Sequence, residues 1–203
     1  MMKEKEQQLP IMEAFYTIQG EGYFTGNPAY FIRTGGCDVG CVWCDVKESW
    51  SDQWPLLTTS ELVSQALSAE TRLVVITGGE PLMYDMHPLT SGLREQGLQT
   101  HVETSGAHTL TGEWDWICFS PKKFMKPQEA YYNVADELKV VIYNKHDFAW
   151  AEEHAEKVRP ECLLYLQPEW DKSEQILPEL IEYVKDNPRW KISLQTHKFM
   201  KIP

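Results

Sequence analysis

The sequence predicts an α/β fold of parallel strands joined by helical crossovers, a β/α barrel or an open part of one. Three observations lead there. Runs rich in apolar and β-branched residues recur at 29–33, 73–77, 100–103, 114–119, 138–143, 162–166 and 190–194, each short enough for a buried strand. Helical spacing falls between several of these runs. Thr58-Thr-Ser-Glu61 reads as a capping box ahead of Leu62, Val63, Ala66 and Leu67 on one face. Ile176, Leu177, Leu180, Ile181 and Val184 repeat that spacing, with Pro178 leaving the start of the helix open. The third observation is where the polar motifs sit. Gly78-Gly-Glu-Pro81, Thr104-Ser-Gly106, Ser120-Pro-Lys122 and Gln167-Pro168 each follow a strand-like run. In β/α barrels that rim holds the ligand, because loops after successive strands converge there. Any one of these loops alone reads equally well as Gly/Pro punctuation.

Length and composition fit one domain spanning 1–203. With 203 residues and 42% hydrophobic content, the chain can bury a sizeable core. No run approaches the ~20 consecutive apolar residues that cross a bilayer, which excludes a helical membrane protein. The net charge of -11, from 30 acidic against 19 basic residues, has no basic cluster to track a phosphate backbone, so nucleic acid is not an expected partner. The start, Met1-Met-Lys-Glu-Lys-Glu6, is charged and has no apolar leader, so a cytoplasmic protein with reduced thiols is expected.

Reduced thiols give the densest motif its meaning. Cys37, Cys41 and Cys44 lie within eight residues, and the nearest histidine, His87, is far along the chain. Structural zinc wants four closed ligands. A cubane iron–sulfur cluster takes one thiolate per iron, so three cysteines leave one iron open to a small molecule. Cys118 and Cys162 sit in apolar runs and read as small buried hydrophobes. Either could in principle cap the cluster and make the protein an electron carrier. A zinc-stabilised binding module is the other alternative.

The cysteine spacing, with Trp43 before the last thiol and Gly78-Gly-Glu-Pro81 one crossover later, resembles the radical S-adenosylmethionine superfamily. That resemblance implies a partial, incomplete β/α barrel of the radical SAM type and a [4Fe-4S] cluster on Cys37, Cys41 and Cys44. It also implies S-adenosylmethionine on the open iron, cleaved to a 5′-deoxyadenosyl radical. The glycine turn would receive the methionine amino group.

Further motifs narrow the resemblance. Thr17-Ile-Gln-Gly-Glu-Gly22, Phe31-Ile-Arg33, Gly35-Gly-Cys37, Glu103-Thr-Ser-Gly106, Glu137-Leu-Lys-Val-Val141, Leu166-Gln-Pro168 and Gln195-Thr-His-Lys-Phe-Met-Lys-Ile-Pro203 together look like the 7-carboxy-7-deazaguanine synthase family, from residue 12 onward. The implied reaction is ring contraction of 6-carboxy-5,6,7,8-tetrahydropterin to 7-carboxy-7-deazaguanine with loss of ammonia, on the route to queuosine and other 7-deazapurines. Hydrogen leaves C6, the substrate radical rearranges, and hydrogen return regenerates the cofactor. No catalytic side chain beyond cluster and cofactor is implied.

The family's substrate residues carry over to Ile18, Gln19, Gly20, Arg33 and Thr77, with the carboxylate of Pro203 closing the pocket. Arg33 suits the role as a planar donor fork for a carboxylate. The cofactor's contacts carry over to Gly79, Glu80, Ser105, Ser120, Pro121, Lys122, Gln167, Pro168, Glu169 and Trp170. Many family members place a threonine two residues after the last cysteine as a magnesium ligand; here Val46 stands there, and valine has no oxygen to give. Weak dependence on Mg2+ is therefore expected, with Asp45 the alternative donor. An external electron donor and a homodimer complete what the family implies. Within the radical class, an activating enzyme acting on a partner protein is the competing reading.

Overall fold

The computed structural model describes residues 6–203; residues 1–5, which open the charged start, lie outside the described residues. The strands are β1 (Gln8–Ile18), β2 (Pro28–Thr34), β3 (Leu56–Thr58), β4 (Leu73–Gly78), β5 (Gln99–Thr104), β6 (Trp116–Phe119), β7 (Glu137–Ile142), β8 (Leu163–Pro168) and β9 (Trp190–Ile192). They form one sheet in the order β3-β1-β2-β4-β5-β6-β7-β8-β9. Every pairing from β2 to β9 is parallel, whereas β1 runs antiparallel to both β2 and β3. The sheet does not close, so the expected α/β architecture is the open, incomplete barrel.

The helices are α1 (Thr59–Leu67), α2 (His87–Glu95), α3 (Tyr131–Val134), α4 (His146–Ala155), α5 (Ser173–Asp186) and α6 (Thr196–Met200). Because strand side chains alternate between faces, the sheet divides its residues cleanly. Ile32, Val74, Ile76, Val102, Leu138, Val140 and Leu166 bury one face against Leu62 and Ala66 of α1, Leu89 and Leu93 of α2, Ala151 of α4 and Ile176 and Leu180 of α5. The intervening residues Phe31, Arg33, Thr77, Glu103, Lys139, Val141 and Gln167 look the other way and line a cavity. No described helix is long and apolar enough to cross a membrane.

The structure departs from the sequence reading in several places. Two strands, β1 and β3, were not anticipated. Pro10 sits inside β1, and the register slips between Ile11 and Glu13, so the strand shows neither clean alternation nor an unbroken apolar run. The strand expected from 114 begins only at Trp116. Asp115 instead turns its carboxylate to the Thr100 amide (2.9 Å) and to Arg94 (2.6 Å). The strand expected at 138–143 is shifted by one residue, to Glu137–Ile142. Alternation also fails between β5 and β6, which are joined by a loop rather than a helix. Finally, α5 begins at Ser173 and carries Pro178 within it.

The capping box at α1 forms in full. Thr58 Oγ1 accepts from the Glu61 amide (3.2 Å) and Glu61 Oε2 accepts from the Thr58 amide (2.8 Å). Replacing Thr58 by alanine removes one of these bonds and should cost about 1 kcal/mol. That corresponds to a fall in Tm of roughly 2–4 °C for a chain of this size, measurable by calorimetry.

Candidate active site

A cavity of about 330 Å³ opens at the C-terminal ends of the parallel strands. From β1 and the turn after it come Ile18, Gln19 and Gly20; β2 contributes Arg33 and β4 Thr77. Cys37, Cys41, Cys44 and Val46 enter from the loop after β2. Gly79 and Glu80 follow β4, Ser105 follows β5, and Ser120 and Lys122 follow β6. Gln167, Pro168, Glu169 and Trp170 come from the end of β8 and the turn beyond it, and Pro203 arrives from the far end of the chain. Of the residues singled out in the sequence, Pro121 alone is not in the lining.

Main-chain contacts set the cysteine loop against the glycine turn. The Gly36 amide donates to the carbonyls of Ser49 and Ser51 (both 2.8 Å), and the Glu80 amide donates to the Gly36 carbonyl (2.9 Å). A β-carbon on Gly79 would overlap that carbonyl, so only glycine fits. A cubane spreads its thiolates over separate irons, and three cavity-lining cysteines in one loop suit it. Cys118 and Cys162 are buried and do not line the cavity.

Glu80 is 1% exposed, and donors hold both of its oxygens. Oε1 accepts from Thr104 Oγ1 (2.6 Å) and the Leu82 amide (3.2 Å); Oε2 accepts from the Ser105 amide (2.8 Å) and hydroxyl (2.5 Å). The carboxylate thus braces the β4 turn to the β5 loop. Glu169 likewise accepts from the amides of Asp171 (3.3 Å) and Lys172 (3.1 Å), capping the short turn that presents Trp170. Ser120 accepts the Lys122 ammonium through its hydroxyl (2.6 Å) and carbonyl (2.8 Å). Arg33 lines the cavity and gives its Nε to Glu13 (2.7 Å), and no described group bonds the two ends of its fork.

The floor holds charges that the sequence reading left without a role. Lys139, 4% exposed, donates to Glu21 Oε2 (2.5 Å) and Glu103 Oε2 (3.3 Å). Gln19 donates to Glu103 Oε1 (2.9 Å), and Gln195 donates to Glu21 Oε1 (3.0 Å). Burial pushes the Glu21 carboxyl up, but the Lys139 charge and its hydrogen bonds outweigh that and hold it at about 2. Burial likewise works against the Lys139 charge, and the surrounding acidic groups, Glu103, Glu21 and Glu137, carry its pKa above the usual lysine range. A charged residue inside an otherwise apolar strand run, as Lys139 is in Leu138-Lys-Val-Val-Ile142, is the signal that could have found this centre.

The last residues fold back over this floor. The Thr196 amide and hydroxyl both donate to the Gly20 carbonyl (2.9 Å), and a β-carbon on Gly20 would overlap the His197 ring. Lys198 donates to Asp45 Oδ2 (2.6 Å) and lies 4.8 Å over the Trp170 ring. Asp45, the alternative oxygen donor of the sequence reading, is thereby ion-paired. Thr17 Oγ1 donates to the Pro203 carbonyl (3.4 Å).

Lys139→Met should cost roughly 3 kcal/mol by leaving two partly buried carboxylates without their counter-charge. It should also change the sign of the pH dependence. With its carboxyl depressed from 4.5 to about 2, Glu21 contributes stability above pH 4.5 that is lost as pH falls toward 2. Without the ammonium, burial raises that carboxyl, so acidification from pH 7 to 4.5 should relieve the variant while the parent gains nothing. Urea unfolding at pH 7, 4.5 and 3 measures both.

Comparison with known proteins agrees with this geometry. The family model described as the Radical SAM superfamily matches residues 31–118. The 7-carboxy-7-deazaguanine synthase of Flavobacterium psychrophilum is 54% identical over 200 residues, covering 98% of this chain and 95% of the relative. The enzyme of that name from Synechocystis is 51% identical over 95% of this chain and 93% of its own length. The crystal structure of QueE from Escherichia coli superposes with a TM-score of 0.82 at 33% identity, covering 92% of this chain and 93% of that one. With likeness of this depth along nearly its whole length, the chain belongs to the 7-carboxy-7-deazaguanine synthase family of radical S-adenosylmethionine enzymes.

Proposed function

We propose that the chain contracts the ring of 6-carboxy-5,6,7,8-tetrahydropterin to 7-carboxy-7-deazaguanine, releasing ammonia. The observation that carries this reading is one cavity of about 330 Å³ lined both by three thiols and by carboxylates, amides and an arginine. When bound, the iron–sulfur cluster and S-adenosylmethionine that the family uses supply reversible abstraction of a hydrogen atom. The protein's part is to bind, orient and exclude water.

In this reading Cys37, Cys41 and Cys44 hold the cluster. Gly79, Ser105, Ser120, Lys122 and the segment from Gln167 to Trp170 receive the cofactor. Glu80, whose oxygens are already bonded, sets the shape of that subsite from behind. Ile18, Gln19, Gly20 and Thr77 receive the pterin, the free arms of Arg33 take its carboxylate, and Pro203 closes the pocket. The apolar side chain of Val46 and the engagement of Asp45 with Lys198 support turnover that depends little on magnesium. The family resemblance supports a homodimer served by an external one-electron donor.

Anaerobic reconstitution with iron and sulfide, then incubation with reductant, S-adenosylmethionine and the carboxypterin, should yield deazaguanine detectable by mass. Added magnesium should change the rate less than about twofold, and product absent at full cluster loading refutes the assignment. Arg33→Met should raise KM for the pterin by roughly 10- to 100-fold, the worth of a charged hydrogen bond. KM for S-adenosylmethionine should hold steady, and steady-state kinetics with each varied in turn separates the two.

A further inference from the structure

A second cavity, of about 10 Å³, lies behind the floor. It shares Gln19, Glu21 and Glu103 with the main cavity and is otherwise walled by Phe24, His101, Trp116, Cys118 and Glu137 among its neighbours. That volume admits one water-sized molecule and nothing larger. Its walls are acidic: three carboxyl groups against the single ammonium of Lys139, which bridges Glu21 and Glu103 from the main-cavity side. Two aromatic side chains complete it, with Phe24 edge-on to Trp116 at 5.0 Å between ring centres.

His101 is 6% exposed and lines the small cavity. Its ring packs edge-on against Phe24 at 4.5 Å. Among the described residues its nitrogens are neither hydrogen-bonded nor among the sealed polar atoms left unpaired, so they reach accessible space that a small polar guest can fill. Burial lowers its pKa to about 4, so the ring is neutral and presents one acceptor nitrogen. Glu137 adds a further acceptor: its Oε2 takes the Tyr23 amide (3.0 Å), and burial raises its carboxyl.

A water-sized space with acceptors on several sides and carboxyl groups outnumbering the one neighbouring ammonium suits a small monovalent cation with hydrogen-bonding protons. We propose that this back cavity is an ammonium site, which receives the nitrogen that leaves the ring in the front cavity and holds it apart from the substrate. The inference rests on the proposed reaction for its source of ammonium and on His101 and the cavity for its location. No covalent bond changes in the step: ammonia, protonated from solvent, moves from one cavity to its neighbour past Glu21 and Glu103.

Thallium(I), an ammonium-sized cation with strong anomalous scattering, tests the site without reference to turnover. Crystals of the cluster-loaded protein soaked in a thallium salt should show an anomalous peak within contact of His101 and Glu137, displaced by excess ammonium. Density for a water with no thallium peak, no density at all, or thallium on surface carboxylates as an adventitious ion only, would each overturn the proposal. In turnover, ammonium chloride should inhibit non-competitively against the pterin when compared with sodium chloride at equal ionic strength. His101→Leu should weaken that inhibition by roughly 3- to 10-fold, the worth of one hydrogen bond, at unchanged pterin KM. His101→Gln, which keeps an acceptor, should retain it. A parent enzyme that makes no deazaguanine yet shows the displaceable thallium peak refutes the reaction and leaves the cation site standing.

Discussion

The floor of the cavity depends on a single, nearly buried ammonium. Among the described residues, Lys139 is the only cation hydrogen-bonded to Glu21 and Glu103, and it joins the turn after β1, the end of β5 and the middle of β7. Burying a charge is costly unless it is paired, and here the pairing reaches across 118 residues of sequence. The open end of the sheet is thereby drawn together: the β1–β2 turn must settle over the parallel strands for the lysine to be satisfied, and in settling it delivers Gln19 and Gly20 to the cavity.

Around that centre the polar groups divide their work by how fully they are already bonded. Glu80 and Glu169 spend their oxygens on local amides and hydroxyls, which makes them struts for the loops that carry them. Arg33, bonded through its Nε alone among the described residues, keeps capacity for a guest. The distinction matters because a carboxylate in a cavity is easily taken for a binding group, and a count of donors per oxygen separates the two uses.

How much of this could be read from the sequence follows from which interactions are local. The capping box at Thr58 and Glu61 spans four residues and appears as expected. The parallel strands announce themselves because both faces are buried and their apolar runs are almost unbroken. β1 was hidden because its Pro10 and its register slip erase the period, and only pairing with β2 and β3 makes it a strand. In the site, motifs at strand ends pointed to most of the cavity lining. The Lys139 centre was missed because nothing near Lys139 in sequence tells which carboxylates will meet it. His101 was equally silent, since a histidine in a strand run acquires meaning only from the partners it lacks.

The close approach of Gly36 and Gly79 carries a consequence for how such a protein can change over time. The loop bearing the three thiols is positioned by peptide groups of residues 34–36, 49–51 and 79–80, whose bonding is indifferent to which side chains surround them. Substitutions elsewhere in the cavity can accumulate and retune what it accepts, while any side chain at position 79 would shove the cysteine-bearing loop outward. Diversification of the guest is thus uncoupled from upkeep of the thiol loop, and variation is free to explore the first without endangering the second.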